Sequence, residues 1–126
     1  MIYVADTHAL IWHLGGSSRL GTRAKAVLAE ERIVVPSICL AEASFLRERR
    51  RVQIGIEEIV SFLQSTPQVS VHPLDIPVAA HLPPQLNIHD GIIVATALVL
   101  RERGEEVAVI TRNGEITQSG LVPVIW

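Results

Sequence analysis

The sequence has little cysteine, no long apolar run and no recognisable targeting segment. Cys39 is the only cysteine among 126 residues, which excludes an intramolecular disulfide and favours a reducing compartment. The longest apolar run, 91–100, is much shorter than the roughly 20 residues that span a bilayer. The first residues lack the basic region and cleavage site of a signal peptide. These absences predict a soluble, cytoplasmic protein that does not enter a membrane.

An excess of positive charge is also missing. Eleven basic and thirteen acidic residues give a net charge of −2, so any contact with nucleic acid must come from a local basic patch. Hydrophobic residues make up 48% of the chain and charged residues 19%, and no segment is repetitive or of low complexity. This composition is typical of a folded domain. We therefore expect one domain over residues 1–126.

Short apolar segments alternate with longer segments of helical periodicity. Strands are predicted at 2–5, 32–35, 69–71, 107–110 and 122–126. Helices are predicted after Asp6 and at 19–31, 37–51, 54–64, 77–82 and 90–103. Because the strands are uniformly apolar and separated by helices, the sequence predicts an α/β fold. The expected architecture is a central parallel sheet of about four to five strands, flanked by helices on both faces.

Polar residues follow two of the predicted strands directly. Asp6 follows the first strand, and Thr111 and Asn113 follow the strand at 107–110. The carboxyl ends of parallel strands share one edge of the sheet, where α/β proteins bind their ligands. Asp6 is also a favourable helix N-cap, so capping alone is an alternative role.

Two further acids occupy unexpected positions on predicted helices. Glu42 falls on a stripe predicted to face the core, whose apolar members are Ile38, Ala41, Phe45 and Leu46. Asp90 opens the most apolar helix of the chain. Plainer roles are a pair between Glu42 and a following arginine, and a helix-dipole contact for Asp90. Jointly, three carboxylates at one crevice would repel each other, which predicts a divalent cation, Mg²⁺ or Mn²⁺ rather than zinc.

Four segments of the chain resemble the ordered motifs of PIN-domain ribonucleases. They are Val4-Ala-Asp6-Thr-His-Ala-Leu-Ile-Trp12, Pro36-Ser-Ile-Cys-Leu-Ala-Glu42, Asp90-Gly-Ile-Ile-Val-Ala-Thr-Ala97 and Ile110-Thr-Arg-Asn113-Gly-Glu-Ile116. The sequence is most similar to the short toxins of the VapC type in prokaryotic toxin–antitoxin pairs. This resemblance covers essentially the whole chain.

The resemblance implies a Mg²⁺- or Mn²⁺-dependent endoribonuclease that forms a homodimer and is restrained by a cognate antitoxin. It carries Asp6, Glu42 and Asp90 over as the acidic cluster, which would activate water to cleave RNA. Asn113 stands where the family often has Asp; an amide oxygen can still bind a metal or its water but adds no charge, so a second metal should bind more weakly. Thr7 and Thr111 fit supporting roles, as donors that orient the carboxylates.

A basic cluster follows Glu42 on its predicted helix. Its arginines are either RNA contacts beside the Glu42 crevice or a solvated helix end; they are Arg47, Arg49, Arg50 and Arg51. Trp12 and Trp126 are predicted to be core or dimer contacts rather than platforms for bases.

Two other functions remain alternatives. One is a catalytically silent PIN-like module that binds RNA or protein, which Asn113 makes plausible. The other is a haloacid-dehalogenase-like phosphatase with Asp6 as nucleophile, although His8 stands where its second Asp is expected. His89-Asp90 resembles the metal pair of HD-type phosphohydrolases, but the predicted strands disagree with that all-helical fold.

Overall fold

A five-stranded parallel sheet forms the centre of the computed structural model, which describes residues 1–126. The strands are β1 (Ile2–Ala5), β2 (Arg32–Pro36), β3 (Val69–His72), β4 (Val107–Ile110) and β5 (Val124–Ile125). Their spatial order is β3-β2-β1-β4-β5, and every neighbouring pair is parallel. The predicted α/β class and parallel sheet are confirmed.

Seven helices flank the sheet. They are α1 (Thr7–Leu14), α2 (Thr22–Glu30), α3 (Ser37–Glu48), α4 (Ile56–Ser65), α5 (Ile76–Ala80), α6 (Ile88–Glu102) and α7 (Gly114–Ser119). The last of these was not predicted, because six residues are too few to show a helical period. No helix is both long enough and apolar enough to cross a lipid bilayer.

The order of the strands positions a crevice beside β1. The chain moves from β1 outward through β2 to β3, then crosses back to place β4 on the other side of β1. Ligands of open α/β sheets bind at such a reversal, outside the carboxyl ends of the strands. Ala5 pairs with Ile110, and the Asp6 N–H donates to the Ile110 carbonyl at 3.2 Å. The residues that follow β1 and β4 therefore start side by side.

The predicted buried face of α3 is partly wrong. Its buried residues are Cys39, Ala43 and Leu46, whereas Phe45 is 52% exposed and Ala41 is also exposed. The predicted apolar stripe is displaced by about one position from the face that is buried. Several overlapping apolar faces can be drawn on this helix, so the sequence does not select one of them. In α4, Ile59 is the buried residue, whereas Ile56 and Val60 are exposed.

The end of α3 also differs from the prediction. The helix stops at Glu48 rather than near residue 51, because Arg50 adopts the left-handed conformation with φ of 57°. The Arg51 N–H then donates to the Leu46 carbonyl, a bond that closes helices ending in this way. The Ser37 hydroxyl, at the start of α3, accepts from the Leu74 N–H beyond β3.

Candidate active site at the carboxyl edge of the sheet

A polar cavity of about 340 Å³ lies at the carboxyl edge of β1 and β4. It contains all three acids that the sequence singled out, although they come from separate parts of the chain. The lining residues are Asp6, Thr7, His8, Trp12, Glu42, His89, Asp90, Ile93, Arg112, Asn113 and Trp126. The expected meeting of Asp6, Glu42 and Asp90 in one crevice is therefore what the topology produces.

Asp6 connects the cavity to both β4 and α1. One carboxylate oxygen accepts from the Ala9 N–H at 2.8 Å, so Asp6 is the N-cap of α1. The other accepts from the Thr111 hydroxyl, which the pairing of β1 with β4 places opposite. Burial still raises the pKa of Asp6, despite these two donors, and the Glu42 charge adds to the rise. Asp6 thus caps a helix and also presents a poorly hydrated carboxylate to the cavity.

Glu42 pairs with a histidine rather than with an arginine of its own helix. His89 Nε2 lies 3.0 Å from Glu42 Oε2. This contact is the main reason that the pKa of Glu42 is lowered and the pKa of His89 is raised. The alternative in which Glu42 reaches Arg47 or Arg49 is not the arrangement observed. Near neutral pH this pair favours an ionised Glu42.

Asp90 is held by two asparagine side chains. Its Oδ2 atom accepts from Asn87 Nδ2 at 2.8 Å and from Asn113 Nδ2 at 3.1 Å. Asn87 is also the N-cap of α6 and accepts from the Asp90 N–H at 2.9 Å. Asp90 is only 8% exposed, so its carboxylate is fixed by the helix start and by the residue that follows β4. The first-turn position expected from the sequence is retained within this network.

Asn113 presents an N–H group, not an oxygen, to the cavity. Its side-chain oxygen accepts from the Glu115 and Ile116 N–H groups at 2.8 and 3.1 Å and so caps α7. The Asn113 backbone N–H donates to the Thr111 hydroxyl at 3.0 Å. Asn113 is therefore arranged to orient Asp90 and not to supply an oxygen ligand.

The two threonines predicted to support the carboxylates differ in their contacts. Thr111 donates to Asp6, as expected. The Thr7 hydroxyl is buried without a hydrogen bond of normal geometry, although its proximity contributes to the lowered pKa of Glu42. Cys39 lies behind them, where burial raises the pKa of its thiol to about 12. That thiol stays protonated and cannot serve as a nucleophile.

The donor atoms of the cavity fit a divalent cation in type. Carboxylate oxygens are the ligands that Mg²⁺ and Mn²⁺ prefer, and a cation here would offset the burial that raises the pKa of Asp6. No group of three or more acidic, histidine or cysteine side chains, however, is placed so that it could hold a metal ion as it stands. Glu42 contacts His89 through its Oε2 atom only.

The predicted RNA-binding arginines lie outside the cavity. None of Arg47, Arg49, Arg50 and Arg51 lines it. Arg47 donates to the Gln53 carbonyl, and the Arg49 guanidinium lies 4.5 Å from the centre of the Phe45 ring. RNA binding by this cluster stays a prediction.

Sequence reasoning gave no role in the site to several residues that line it. Arg112 and His89 immediately flank the predicted positions Thr111, Asn113 and Asp90, so adjacency was a usable signal. Trp12 and Trp126 come from the two ends of the chain and meet beside the cavity with ring centres 5.8 Å apart. No sequence signal indicated that these rings would meet.

The PIN domain family model matches residues 3–118. The chain belongs to the PIN domain family. This membership confirms the resemblance seen in the four motifs and favours it over the phosphatase alternative. No curated protein matches this PIN domain by sequence at a significant level.

Solved structures of similar fold cover the whole domain. VapBC2 from Rickettsia felis, bound to a promoter DNA fragment, has a TM-score of 0.68 at 12% identity and covers 100% of this chain and 99% of that one. A toxin–antitoxin complex from Klebsiella pneumoniae has a TM-score of 0.67 at 20% identity, covering 98% and 96%. VapC20 from Mycobacterium tuberculosis, a toxin that cleaves the sarcin–ricin loop, has a TM-score of 0.64 at 22% identity, covering 97% of each. At these identities the likeness establishes the fold of the PIN domain.

Proposed function

We propose that this PIN domain is a metal-dependent endoribonuclease, the toxin of a toxin–antitoxin pair. The observation that carries the proposal is the convergence of Asp6, Glu42 and Asp90 in one cavity from three separate elements. A family match over residues 3–118 and similarity to toxin structures support the same conclusion.

Asp6, Glu42 and Asp90 would hold Mg²⁺ or Mn²⁺. When bound, the cation supplies a positive charge that stabilises the developing charge on the scissile phosphate and lowers the pKa of water. In the overall reaction a water oxygen forms a bond to phosphorus, the bond from phosphorus to a ribose oxygen breaks, and a proton passes to that oxygen. No side chain needs to form a covalent intermediate.

The remaining polar residues fix the acids in place. Thr111 donates to Asp6, while Asn87 and Asn113 both donate to one oxygen of Asp90. These donors restrict the carboxylates to a narrow range of orientations, which reduces the reorganisation needed on binding. The His89 contact holds Glu42 at the cavity wall.

A protein partner and self-association complete the proposal. Several structures of similar fold are toxin–antitoxin complexes, including those from Klebsiella pneumoniae and Rickettsia felis. We therefore propose that a cognate antitoxin restrains this protein, that the protein forms a homodimer, and that it acts in the cytoplasm. The unpaired, buried Cys39 is consistent with a reducing compartment.

RNA cleavage with and without metal tests the proposal. Purified protein is incubated with transfer RNA and ribosomal RNA fragments in Mg²⁺, in Mn²⁺ and in a chelator, and the cut ends are mapped. We expect cuts at defined sites only with metal, and none from Asp6→Asn or Asp90→Asn protein purified identically. Cleavage that survives in either variant or in chelator, or its absence with both metals, would refute the assignment. Circular dichroism of the variants confirms that they are folded.

A binding module without catalysis is the second candidate, favoured by Asn113. Its amide donates to Asp90 where a fourth carboxylate would add negative charge, and the acids as they stand do not form a three-ligand site. Toxicity on expression, relieved by a small protein encoded next to it, would separate the two. If the protein is a nuclease, Asp90→Asn should abolish the toxicity. If it is a binding module, the Asp90→Asn variant should remain toxic.

A further inference from the structure

One wall of the cavity is aromatic and carries an unpaired cation. Trp12 and Trp126 are the only tryptophans of the chain, and both line the cavity. Their ring planes meet at 73°, so one indole presents its edge to the face of the other. Both side chains are half-buried, packed on one side against the core. The prediction that they are core or dimer contacts therefore omits their open side, which faces the acids.

Arg112 is held against this wall by its aromatic neighbours. Its guanidinium carbon lies 4.8 Å from the centre of the Trp12 ring and 6.0 Å from that of Trp126. The side chain is exposed and is found in no ion pair and in no hydrogen bond within the protein. A planar guanidinium that lies on an indole keeps its N–H donors free, and these can bind two oxygens of a phosphate at once.

A phosphate that enters this cavity meets three carboxylates, which repel it. Arg112 is the only lysine or arginine on the lining, and Arg19 lies behind it, with its guanidinium carbon 5.9 Å from the centre of the Trp12 ring. The open part of a half-buried indole adds a surface on which any nucleobase can stack. Such stacking requires an unpaired base, because the bases of a duplex are stacked on each other.

We propose that Trp12, Trp126 and Arg112 form a subsite for one nucleotide of single-stranded RNA. Arg112 binds the phosphate of the nucleotide beside the scissile bond, and an indole of the wall stacks on its base. The proposal deepens the nuclease function and rests on it for the choice of RNA as ligand. It predicts that the substrate is cut in loops or single strands and not within helices.

The structure fixes one side of this wall. A Cβ atom added to Gly21 would lie 2.4 Å from the Trp126 carbonyl carbon and 2.6 Å from its Cδ1 atom. Only glycine allows Trp126 to approach this closely, so a larger residue at position 21 would displace the Trp126 indole.

Intrinsic fluorescence provides a direct test, because both tryptophans belong to the proposed subsite. The probes are a short single-stranded oligoribonucleotide, its duplex and an abasic strand of equal length, each with a remote dye that reports binding by anisotropy. Titrations use wild-type protein in chelator, and Asp90→Asn protein in Mg²⁺, so that no probe is cut. We expect the single strand to quench tryptophan emission, and the duplex and abasic strand to leave it nearly unchanged.

Variants separate the two contacts. Arg112→Gln should weaken binding of both the single strand and the abasic strand about tenfold and reduce the salt dependence by about one phosphate contact. Arg23→Gln, which removes an exposed arginine from α2, is the matched control and should change neither quantity. Trp12→Phe and Trp126→Phe, checked by thermal unfolding, keep an aromatic ring at each position and assign the quenched indole.

Each outcome decides the inference independently of catalysis. Binding without quenching, equal quenching by the abasic strand, or equal loss of affinity in Arg23→Gln would overturn it. Quenching by an acidic peptide but not by RNA would also overturn it and would assign the wall to a protein partner. Selective quenching in a protein that cuts no RNA would retain the subsite and reject the nuclease. Cleavage of RNA without quenching of the tryptophan emission would retain the nuclease and reject the subsite.

Discussion

The acidic cavity and the basic cluster at the end of α3 contrast in how their charges are brought together. Asp6, Glu42 and Asp90 are distant in sequence and line one cavity. Residues 47–51 contain four arginines within one short stretch, yet two of these side chains contact a carbonyl and a phenyl ring of their own neighbourhood. The arginines are adjacent in sequence and lie outside the cavity, whereas the three acids come from separate elements and line it.

Burial, and not charge density, distinguishes the acidic cavity from the basic cluster at the end of α3. Cavity residues have pKa values shifted by burial and by each other, as Asp6, Glu42 and His89 show. At the exposed helix end, water screens each charge, so isolated contacts there contribute little. Matched substitutions inside and outside the cavity separate the effect of burial from that of charge.

The largest contrast should come from two glutamates of the same helix. Glu42→Gln removes a cavity carboxylate, and the loss of several kcal/mol of charge stabilisation should lower RNA cleavage roughly a hundredfold or more. Glu48→Gln, at the end of α3 beside the arginines, should leave the rate within about twofold, because its charge is screened by solvent. Cleavage rates at saturating Mg²⁺ measure both. Equal losses would show that α3 acts through its overall charge.

Two buried threonines provide the next contrast. Thr111→Val removes the hydroxyl that donates to Asp6, and the misplaced carboxylate should lower cleavage roughly 10- to 100-fold. Thr96→Val is the control, since Thr96 is equally buried but donates to the Ile92 carbonyl inside α6. Cleavage rates and thermal unfolding are measured on both variants. If Thr96→Val lost as much activity, the effect of Thr111 would be one of stability.

Gly21→Ala tests how firmly the cavity wall is packed. The added methyl group would contact the Trp126 backbone, which cannot rotate away, and should destabilise the protein by about 1–3 kcal/mol. Gly114→Ala meets open space and should change the free energy of unfolding by no more than about 0.5 kcal/mol. Urea unfolding measures both. Equal stability of the two variants would show that Trp126 is loosely held.

The smallest expected effect concerns a second His–Glu pair, outside the cavity. The hydrogen bond from the His81 ring to the Pro77 carbonyl, together with Glu102, raises the pKa of exposed His81 above 6.5. Its stabilising contribution is therefore complete below about pH 6.5 and is lost as the pH rises through the raised pKa. The melting temperature of His81→Gln should be slightly below that of wild type at about pH 5.5 and equal to it at about pH 9. A gap that widened with pH would contradict this sign.

Much of the fold could be predicted from short patterns. The predicted bounds of the strands at 2–5 and 107–110 agree with the structure at both ends. A short, fully apolar segment bounded by polar residues is typical of a buried parallel strand. The helices were placed less well. The buried stripe of α3 and the start of α6 were displaced, and α7 was not predicted, because periodicity loses its power at helix ends and in short helices.

The candidate site was predicted in its acids but not in their partners. Asp6 and Asp90 were found because position at a strand or helix end is a local property. The Glu42–His89 pair was missed, since the sequence offered Arg47 and Arg49 nearer to Glu42 on the same helix. Whether the Glu42 side chain contacts the arginines that follow it on α3 or His89 at the start of α6 depends on how the helices pack against the sheet.

The sequence by itself determined the sheet, the edge at which polar residues collect and the family to which the chain belongs. These depend on patterns within about 15 residues, such as apolar segments, caps and ordered motifs. Only the tertiary structure decided that His89 pairs with Glu42, that Asn113 points its amide at Asp90, and that Arg112 lies on two tryptophans from opposite ends of the chain. Those contacts are long-range, and the crossing of strands and helices selects them from many partners of equal chemistry.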